Sequence, residues 1–182
     1  MARDAIELDE NQTESRLINF INNFMNNSEF KSRLEGDIYG NTALKHIFIE
    51  YDEEILKNHY KEPYTLEALK RINASIPTIE HIFSQEPRFD FPSRGFNSTE
   101  EYINKINKLG NLTLLEKSIN SACQNETTEQ KVEKENLYKK SIFQITKKVT
   151  AEIKNRGNSF LCNHIDERTK ELSEFCPRRW QI

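Results

Sequence analysis

The sequence predicts a mainly helical protein that contains one small β-hairpin. Apolar residues recur at helical spacing over most of the 182-residue chain. Two short segments differ: residues 78–83 alternate in polarity and begin with β-branched side chains, and residues 109–115 read as a turn into a second strand. Residues 117–123 look helical again. We therefore expect a strand–loop–strand–helix unit inside a helical domain.

The segment before the first strand is predicted to be helical, with one turn. Residues 36–41 are rich in turn-forming types. Asn41 or Thr42 is a suitable cap for the helix that follows. The β-rich run 47–49 leaves a short strand open as an alternative there. The helices predicted from apolar spacing in this part of the chain are 15–25, 43–51 and 66–72.

The chain after the first strand is predicted to be an irregular loop followed by helices. Residues 85–97 contain Pro87, Pro92 and Gly95, which favour an irregular loop. Beyond the loop, apolar residues return to helical spacing on either side of the second strand. The predicted helices are 99–108, 117–123, 129–139, 141–153 and 161–175.

The composition is that of a soluble globular protein, with 36% hydrophobic and 30% charged residues. No run of about 18 apolar residues occurs, so no membrane span is expected. The N-terminus lacks an apolar signal core, so a cytoplasmic location is expected. The three cysteines are few and odd in number and form no C-x-x-C pair, which fits a reducing compartment and gives no support to a zinc site.

The charge is distributed unevenly along the chain. Residues 1–102 carry 11 Lys/Arg and 19 Asp/Glu, whereas residues 103–157 carry 11 Lys/Arg and 6 Asp/Glu. The second balance, +5, is typical of a surface that faces phosphates, although a solvated lysine-rich helix face is the alternative. We divide the chain into an N-terminal helical and acidic segment, residues 1–40, and a main domain, residues 41–182.

Glu80 and His81 stand side by side in the first predicted strand, and Asn111 and Asn120 follow at a spacing of nine residues. A neutral imidazole can act as a general base, and carboxylate and amide oxygens suit magnesium or manganese. Neighbours in a strand point to opposite faces, so Glu80 and His81 share one site only if the strand ends or bulges there. Asn111 could accept the ring N–H of His81, and Asn120 could face a metal opposite Glu80.

These motifs resemble those of HNH (His-Me finger) nucleases. The stretch 78–85, Thr-Ile-Glu-His-Ile-Phe-Ser-Gln, is similar to their first strand, and 110–115 followed by Asn120 to their second strand and metal-binding helix. The tail resembles the C-terminal domain of GmrSD-type modification-dependent restriction endonucleases. The residues that carry this second resemblance are Lys134, Tyr138, Ser141, Ile165, Arg168, Leu172 and Trp180.

The resemblance implies a ββα-metal motif and a metal-dependent DNA endonuclease, with RNA as another possible substrate. It implies that His81 is the general base, oriented by Asn111, and that Glu80 and Asn120 hold Mg²⁺ or Mn²⁺. The implied substrate-binding residues are Lys134, Tyr138 and Arg168.

The resemblance also implies a role in bacterial restriction or anti-phage defence. It implies a partner as well: an N-terminal domain that uses NTP or senses modified bases. Ser84 replaces a proline and Phe160 a tryptophan of the family pattern. The first change loosens the turn after the strand, and the second affects packing. The alternative is a catalytically degenerate HNH fold that binds DNA or protein.

Overall fold

The structure is a computed structural model that describes residues 26–60 and 64–180 together with Ser15. Apart from Ser15, the predicted helix 15–25 lies outside the described residues. The described chain is mostly helical with one antiparallel pair of strands, which confirms the predicted fold class. No helix in this described part is long and apolar enough to cross a membrane.

Three helices precede the strands: α1 (Asn27–Leu34), α2 (Leu44–Tyr60) and α3 (Leu66–Ser75). The side chains of Asn26 and Thr65 cap α1 and α3 by accepting hydrogen bonds from the N–H groups of Glu29 and Ala68. Asn41 accepts from the Ala43 N–H in the turn just before α2. Helix α2 includes residues 47–49, so the strand alternative is wrong. The reason is that the buried side chains of this segment recur at helical spacing: Leu44, Ile47, Phe48 and Tyr51.

The two strands are β1 (Pro77–His81) and β2 (Leu112–Glu116). They pair antiparallel, with Glu80 opposite Thr113 and His81 opposite Leu112. Ile76 has a φ of 51°, a left-handed conformation that ends α3 and turns the chain into β1. All of β2 is buried, so it forms the centre of the domain, while β1 carries the site residues at its carboxyl end.

The remaining helices, listed in chain order, are α4 (Thr99–Ile106), α5 (Lys117–Cys123), α6 (Thr128–Glu133), α7 (Gln144–Asn155) and α8 (Cys162–Trp180). Short 3-10 turns cover Pro92–Arg94, Leu109–Asn111 and Tyr138–Lys140. The predicted helix 129–139 therefore stops at Glu133. Lys134 adopts an extended backbone with ψ 129°, which redirects the chain and places Tyr138 in the interior.

Helix α8 packs against the segment that leads into the hairpin. The turn Leu109–Asn111, which leads into β2, packs against this helix. Gly110 lies so close to α8 that a Cβ atom would come within 1.8 Å of the carbonyl oxygen of Ile165. Only glycine permits this close approach of the two backbones. It allows the Gly110 N–H to donate a hydrogen bond to the Thr169 hydroxyl at 3.0 Å.

Candidate active site

A polar cleft of about 220 Å³ lies at the carboxyl end of β1. Three of the predicted site residues, Glu80, His81 and Asn120, line it. Strand β1 ends at His81, so both members of the Glu-His pair reach the same cleft although they leave the strand on different sides. The hairpin and helix α5 therefore bring together the residues expected to provide the base and the metal ligands.

Glu80 is buried, and its contacts come from the segment 131–138. The Lys131 ammonium lies 2.8 Å from Oε1, and the Tyr138 hydroxyl donates to the same oxygen at 3.3 Å. Burial raises the pKa of the Glu80 carboxyl, and the nearby Lys131 opposes that rise. Burial also raises the pKa of Tyr138 well above 10, so the phenol stays protonated and serves as a donor.

His81 is buried between the end of α4 and the turn 36–41. Its Nε2 lies 3.1 Å from Oδ1 of Asn107, at the end of α4. The Tyr39 ring, from the turn 36–41, packs on the imidazole with a centroid distance of 4.4 Å. Burial lowers the pKa of His81, with Lys131 acting in the same direction and Asn107 against it. The imidazole is therefore favoured in its neutral form, which a general base requires.

Asn111 is fully buried, and its side chain forms no hydrogen bond with the His81 ring. Its Oδ1 accepts from the Phe83 N–H at 2.9 Å, and its Nδ2 donates to the carbonyls of Phe83 and Ile106 at 3.1 and 2.8 Å. This differs from the expectation that Asn111 orients the imidazole directly. The physical reason is that the Asn111 amide already satisfies other backbone groups: the N–H and carbonyl of Phe83, just after β1, and the carbonyl of Ile106, at the end of α4.

Asn120 projects from α5 towards β1. Its Nδ2 donates to Thr78 Oγ1 at 2.9 Å and to the carbonyl of Ile79 at 3.1 Å. These two acceptors fix which side of the amide is nitrogen, so Oδ1 faces away from the strand. Within the described residues, no group donates to this oxygen, and the side chain lines the cleft beside Glu80.

The three predicted substrate-binding residues lie elsewhere. The Lys134 side chain is 44% exposed and pairs with Glu126 at 2.7 Å, outside the cleft lining. Tyr138 is fully buried against Glu80. Arg168 is 4% exposed and donates to the carbonyls of Gly110 and Leu112 at 2.9 and 3.3 Å, so it anchors the turn before β2. The structure does not bring these residues together as a phosphate-binding surface.

Three residues of the site were not predicted from the sequence: Lys131 and Tyr39, which line the cleft, and Asn107, which contacts His81. Lys131 is 1% exposed and donates to the carbonyls of His81 and Ile82 at 2.6 and 3.3 Å as well as pairing with Glu80. The sequence around Lys131 does not distinguish it from Lys134, which lies three residues later. Asn107 and Tyr39 lie 26 and 42 positions from His81, and the sequence carries no signal for those contacts.

The turn after β1 is well supported despite the serine at position 84. The Tyr102 hydroxyl donates to the Ser84 carbonyl, and Ser84 Oγ donates to the carbonyl of Glu86 at 2.9 Å. Phe160 packs against Phe83 with a ring distance of 5.0 Å. Both departures from the family pattern are therefore accommodated by local contacts, and neither opens the site.

The residues that line the cleft include oxygen donors of the kind that bind a divalent cation. Among the described residues, no group of three or more His, Cys, Asp or Glu side chains forms a metal cage. Magnesium, however, is usually bound by one or two protein oxygens together with water and substrate phosphate. Glu80 and the unengaged Oδ1 of Asn120 provide two such oxygens in one cleft, so the residues present fit that kind of site.

A family model matches most of the chain. The model of the family described as "GmrSD restriction endonucleases, C-terminal domain" matches residues 24–175. No curated protein and no solved structure matches the chain. The matched range includes the hairpin, all the cleft residues and the turn that carries Tyr39.

Proposed function

Because the chain belongs to the family of GmrSD restriction endonuclease C-terminal domains, we propose that it is an HNH-type endonuclease that hydrolyses phosphodiester bonds of DNA. The observation that carries this proposal is the convergence of a buried imidazole and two oxygen ligands on one polar cleft. His81, Glu80 and Asn120 reach that cleft from β1 and α5.

His81 is the general base in this proposal. Its neutral imidazole accepts a proton from a water molecule as the water oxygen bonds to phosphorus. The bond between phosphorus and the leaving sugar oxygen then breaks, that oxygen takes a proton from solvent, and the imidazolium returns its proton to solvent. A positioned base of this kind contributes about 10²–10⁴ in rate. Burial lowers the pKa of His81, so the base is available at neutral pH.

Glu80 and Asn120 are the residues that would hold Mg²⁺ or Mn²⁺. When bound there, the cation supplies charge stabilisation for the phosphorane-like transition state and for the leaving oxygen. Hydrogen bonds within the chain hold both side chains in place. Lys131 and Tyr138 fix Oε1 of Glu80, and Thr78 and Ile79 fix the amide nitrogen of Asn120, so the remaining oxygens stay directed into the cleft.

The biological setting we propose is bacterial restriction or anti-phage defence in the cytoplasm. A domain that uses NTP or senses modified bases would then select the DNA. RNA is a second possible substrate, since hydrolysis by an activated water does not depend on the 2′-hydroxyl.

The test is cleavage of plasmid DNA, linear DNA and structured RNA by the purified chain in Mg²⁺, in Mn²⁺ and in EDTA. We expect metal-dependent nicking or cutting of DNA that EDTA abolishes. The variants Glu80→Gln and Asn120→Ala should lose activity, whereas Asn125→Ala, another amide lining the cleft, is the matched control and should keep it. Cleavage that persists in EDTA would contradict the metal assignment, and cleavage of RNA alone would reassign the substrate.

One observation favours a second candidate, a degenerate HNH fold that binds DNA without cutting it. The Lys131 ammonium already neutralises part of the charge of Glu80, which lowers the attraction for a cation. The two candidates differ in metal uptake. Paramagnetic broadening of Asn120 signals by millimolar Mn²⁺ supports the nuclease, and its absence together with DNA binding supports the degenerate module.

A further inference from the structure

A chain of hydrogen bonds connects an exposed carboxylate to the imidazole of His81. Asn107 stands in the middle: its Nδ2 donates to Oδ2 of Asp37 at 3.0 Å, and its Oδ1 lies 3.1 Å from Nε2 of His81. Asp37 belongs to the turn 36–41, and Asn107 ends α4. The two residues therefore come from segments outside the hairpin.

The chemistry of these groups fixes the direction of every hydrogen bond. A carboxylate only accepts hydrogen bonds, so the atom of Asn107 that faces Asp37 must be the amide nitrogen. The amide oxygen must then face His81, and because it is only an acceptor, Nε2 of His81 must carry the hydrogen. A neutral imidazole has one N–H, so its lone pair lies on Nδ1.

The surroundings of the ring agree with this assignment. Within the described residues, no group forms a hydrogen bond with Nδ1, and the His81 side chain lines the cleft. The backbone N–H of Ile38 donates to the Asn107 carbonyl at 3.3 Å, which ties the turn to α4 independently of the side chains. Tyr39 from the same turn packs on the ring and restricts its rotation.

We propose that Asp37 and Asn107 are positioning residues that hold His81 in the Nε2–H tautomer, with the Nδ1 lone pair directed into the cleft. This inference rests on the proposed function for its catalytic consequence. When Nδ1 takes a proton from water, the imidazolium keeps its Nε2–H bond to Asn107, and the negative charge of Asp37 polarises that amide in the favourable direction. Neither residue touches the substrate.

The direct test is the tautomer of His81 in the full, metal-free chain, measured by two-bond ¹H–¹⁵N correlation. We expect the pattern of an Nε2–H imidazole. His164 is an internal reference, because its Nδ1 accepts the Leu161 N–H at 3.0 Å and its hydrogen must also lie on Nε2. A His81 spectrum showing the Nδ1–H form, or an even mixture, would overturn the proposal.

Variants then separate positioning from general stability. Asn107→Leu should give mixed tautomers and lower kcat about 10- to 100-fold with little change in KM, as expected for a residue that supports a functional group. Asn104→Leu, on the exposed face of the same helix, is the matched control and should change neither. The exchange Asp37→Asn with Asn107→Asp keeps an acceptor against Nε2 and a donor behind it, so it should restore the tautomer and most of kcat.

The outcomes also separate this inference from the proposed function. An Nε2–H tautomer that depends on Asn107 in a protein that cuts no nucleic acid supports the hydrogen-bond chain and rejects the nuclease. Full cleavage by Asn107→Leu, or an unchanged tautomer in that variant, rejects the chain and leaves the nuclease standing.

Discussion

Replacing Lys131 with methionine is expected to destabilise the fold strongly, because this lysine is the cation buried beside Glu80. Methionine has a similar length and fills the same space without an ammonium group. Lys131 is 1% exposed, so water does not take over its role when it is removed. Among the described residues, the Tyr138 hydroxyl is then the remaining side-chain donor to the buried Glu80 carboxylate.

The size of the expected loss in free energy of unfolding follows from the three acceptors of the Lys131 ammonium. It lies 2.8 Å from Glu80 Oε1 and donates to the carbonyls of His81 and Ile82 at 2.6 and 3.3 Å. Removing one partner of a buried ion pair costs about 3–5 kcal/mol, because the other charge remains uncompensated. We expect Lys131→Met to lower the free energy of unfolding by about that amount.

Urea unfolding followed by circular dichroism measures this loss. Lys134→Met is the matched control, since this lysine is only three residues away but pairs with Glu126 on the surface, and exposed pairs contribute about 1 kcal/mol or less. The double variant Lys131→Met with Glu80→Gln should lose less than the sum of the two single variants, because it no longer buries an unpaired charge. Equal losses for Lys131→Met and Lys134→Met would refute the reasoning.

Three further predictions concern the loop and the titrating groups. Asn111→Ala removes three buried hydrogen bonds at about 1 kcal/mol each, so the free energy of unfolding should fall by roughly 3 kcal/mol, and a fall below about 1 kcal/mol would contradict its role in the loop. Burial raises the pKa of Asp52 from 3.8 to about 6. A carboxyl whose pKa is raised by folding contributes stability that is lost as the pH rises through the folded value. The free energy of unfolding of wild type should therefore fall by on the order of 2–3 kcal/mol between pH 4 and 6, relative to that of Asp52→Asn. Parallel pH profiles of the two free energies would contradict this. Because burial lowers the pKa of His81, the apparent pKa of the acidic limb in the pH profile of kcat/KM should lie below 6.5, the ordinary pKa of histidine. An apparent pKa above 6.5 would reject His81 as the base.

The positions of both strands, and three of the side chains that line the cleft, can be predicted from the sequence. The β-branched start of 78–83 and the turn at 109–111 locate both strands, and the identity of Glu80, His81 and Asn120 predicts which side chains share the cleft. The strands and the shared position of these side chains follow from local patterns: a strand that ends at the histidine and a short helix directly after β2. The roles of the three side chains stay predictions.

The rest of the site depends on contacts between distant segments. Asp37 and Asn107 are 70 positions apart, and nothing in either local sequence indicates that they meet at His81. Lys131 and Lys134 are hard to distinguish in sequence, and the early end of α6 decides which of them is buried. The division of the chain at residue 40 stays a prediction, although Asp37 and Tyr39 show that the turn before it contributes to the site.

In the proposed function, His81 at this cleft activates water for phosphodiester hydrolysis. The most direct test compares the initial rate of supercoiled plasmid nicking in Mg²⁺ by wild type, His81→Ala and His46→Ala, with circular dichroism to confirm that all three fold. We expect His81→Ala to lose at least about 10²-fold in rate. His46 is exposed beside Trp180, away from the cleft, so His46→Ala should cut like wild type. A folded His81→Ala variant that nicks the plasmid at the wild-type rate would contradict the account.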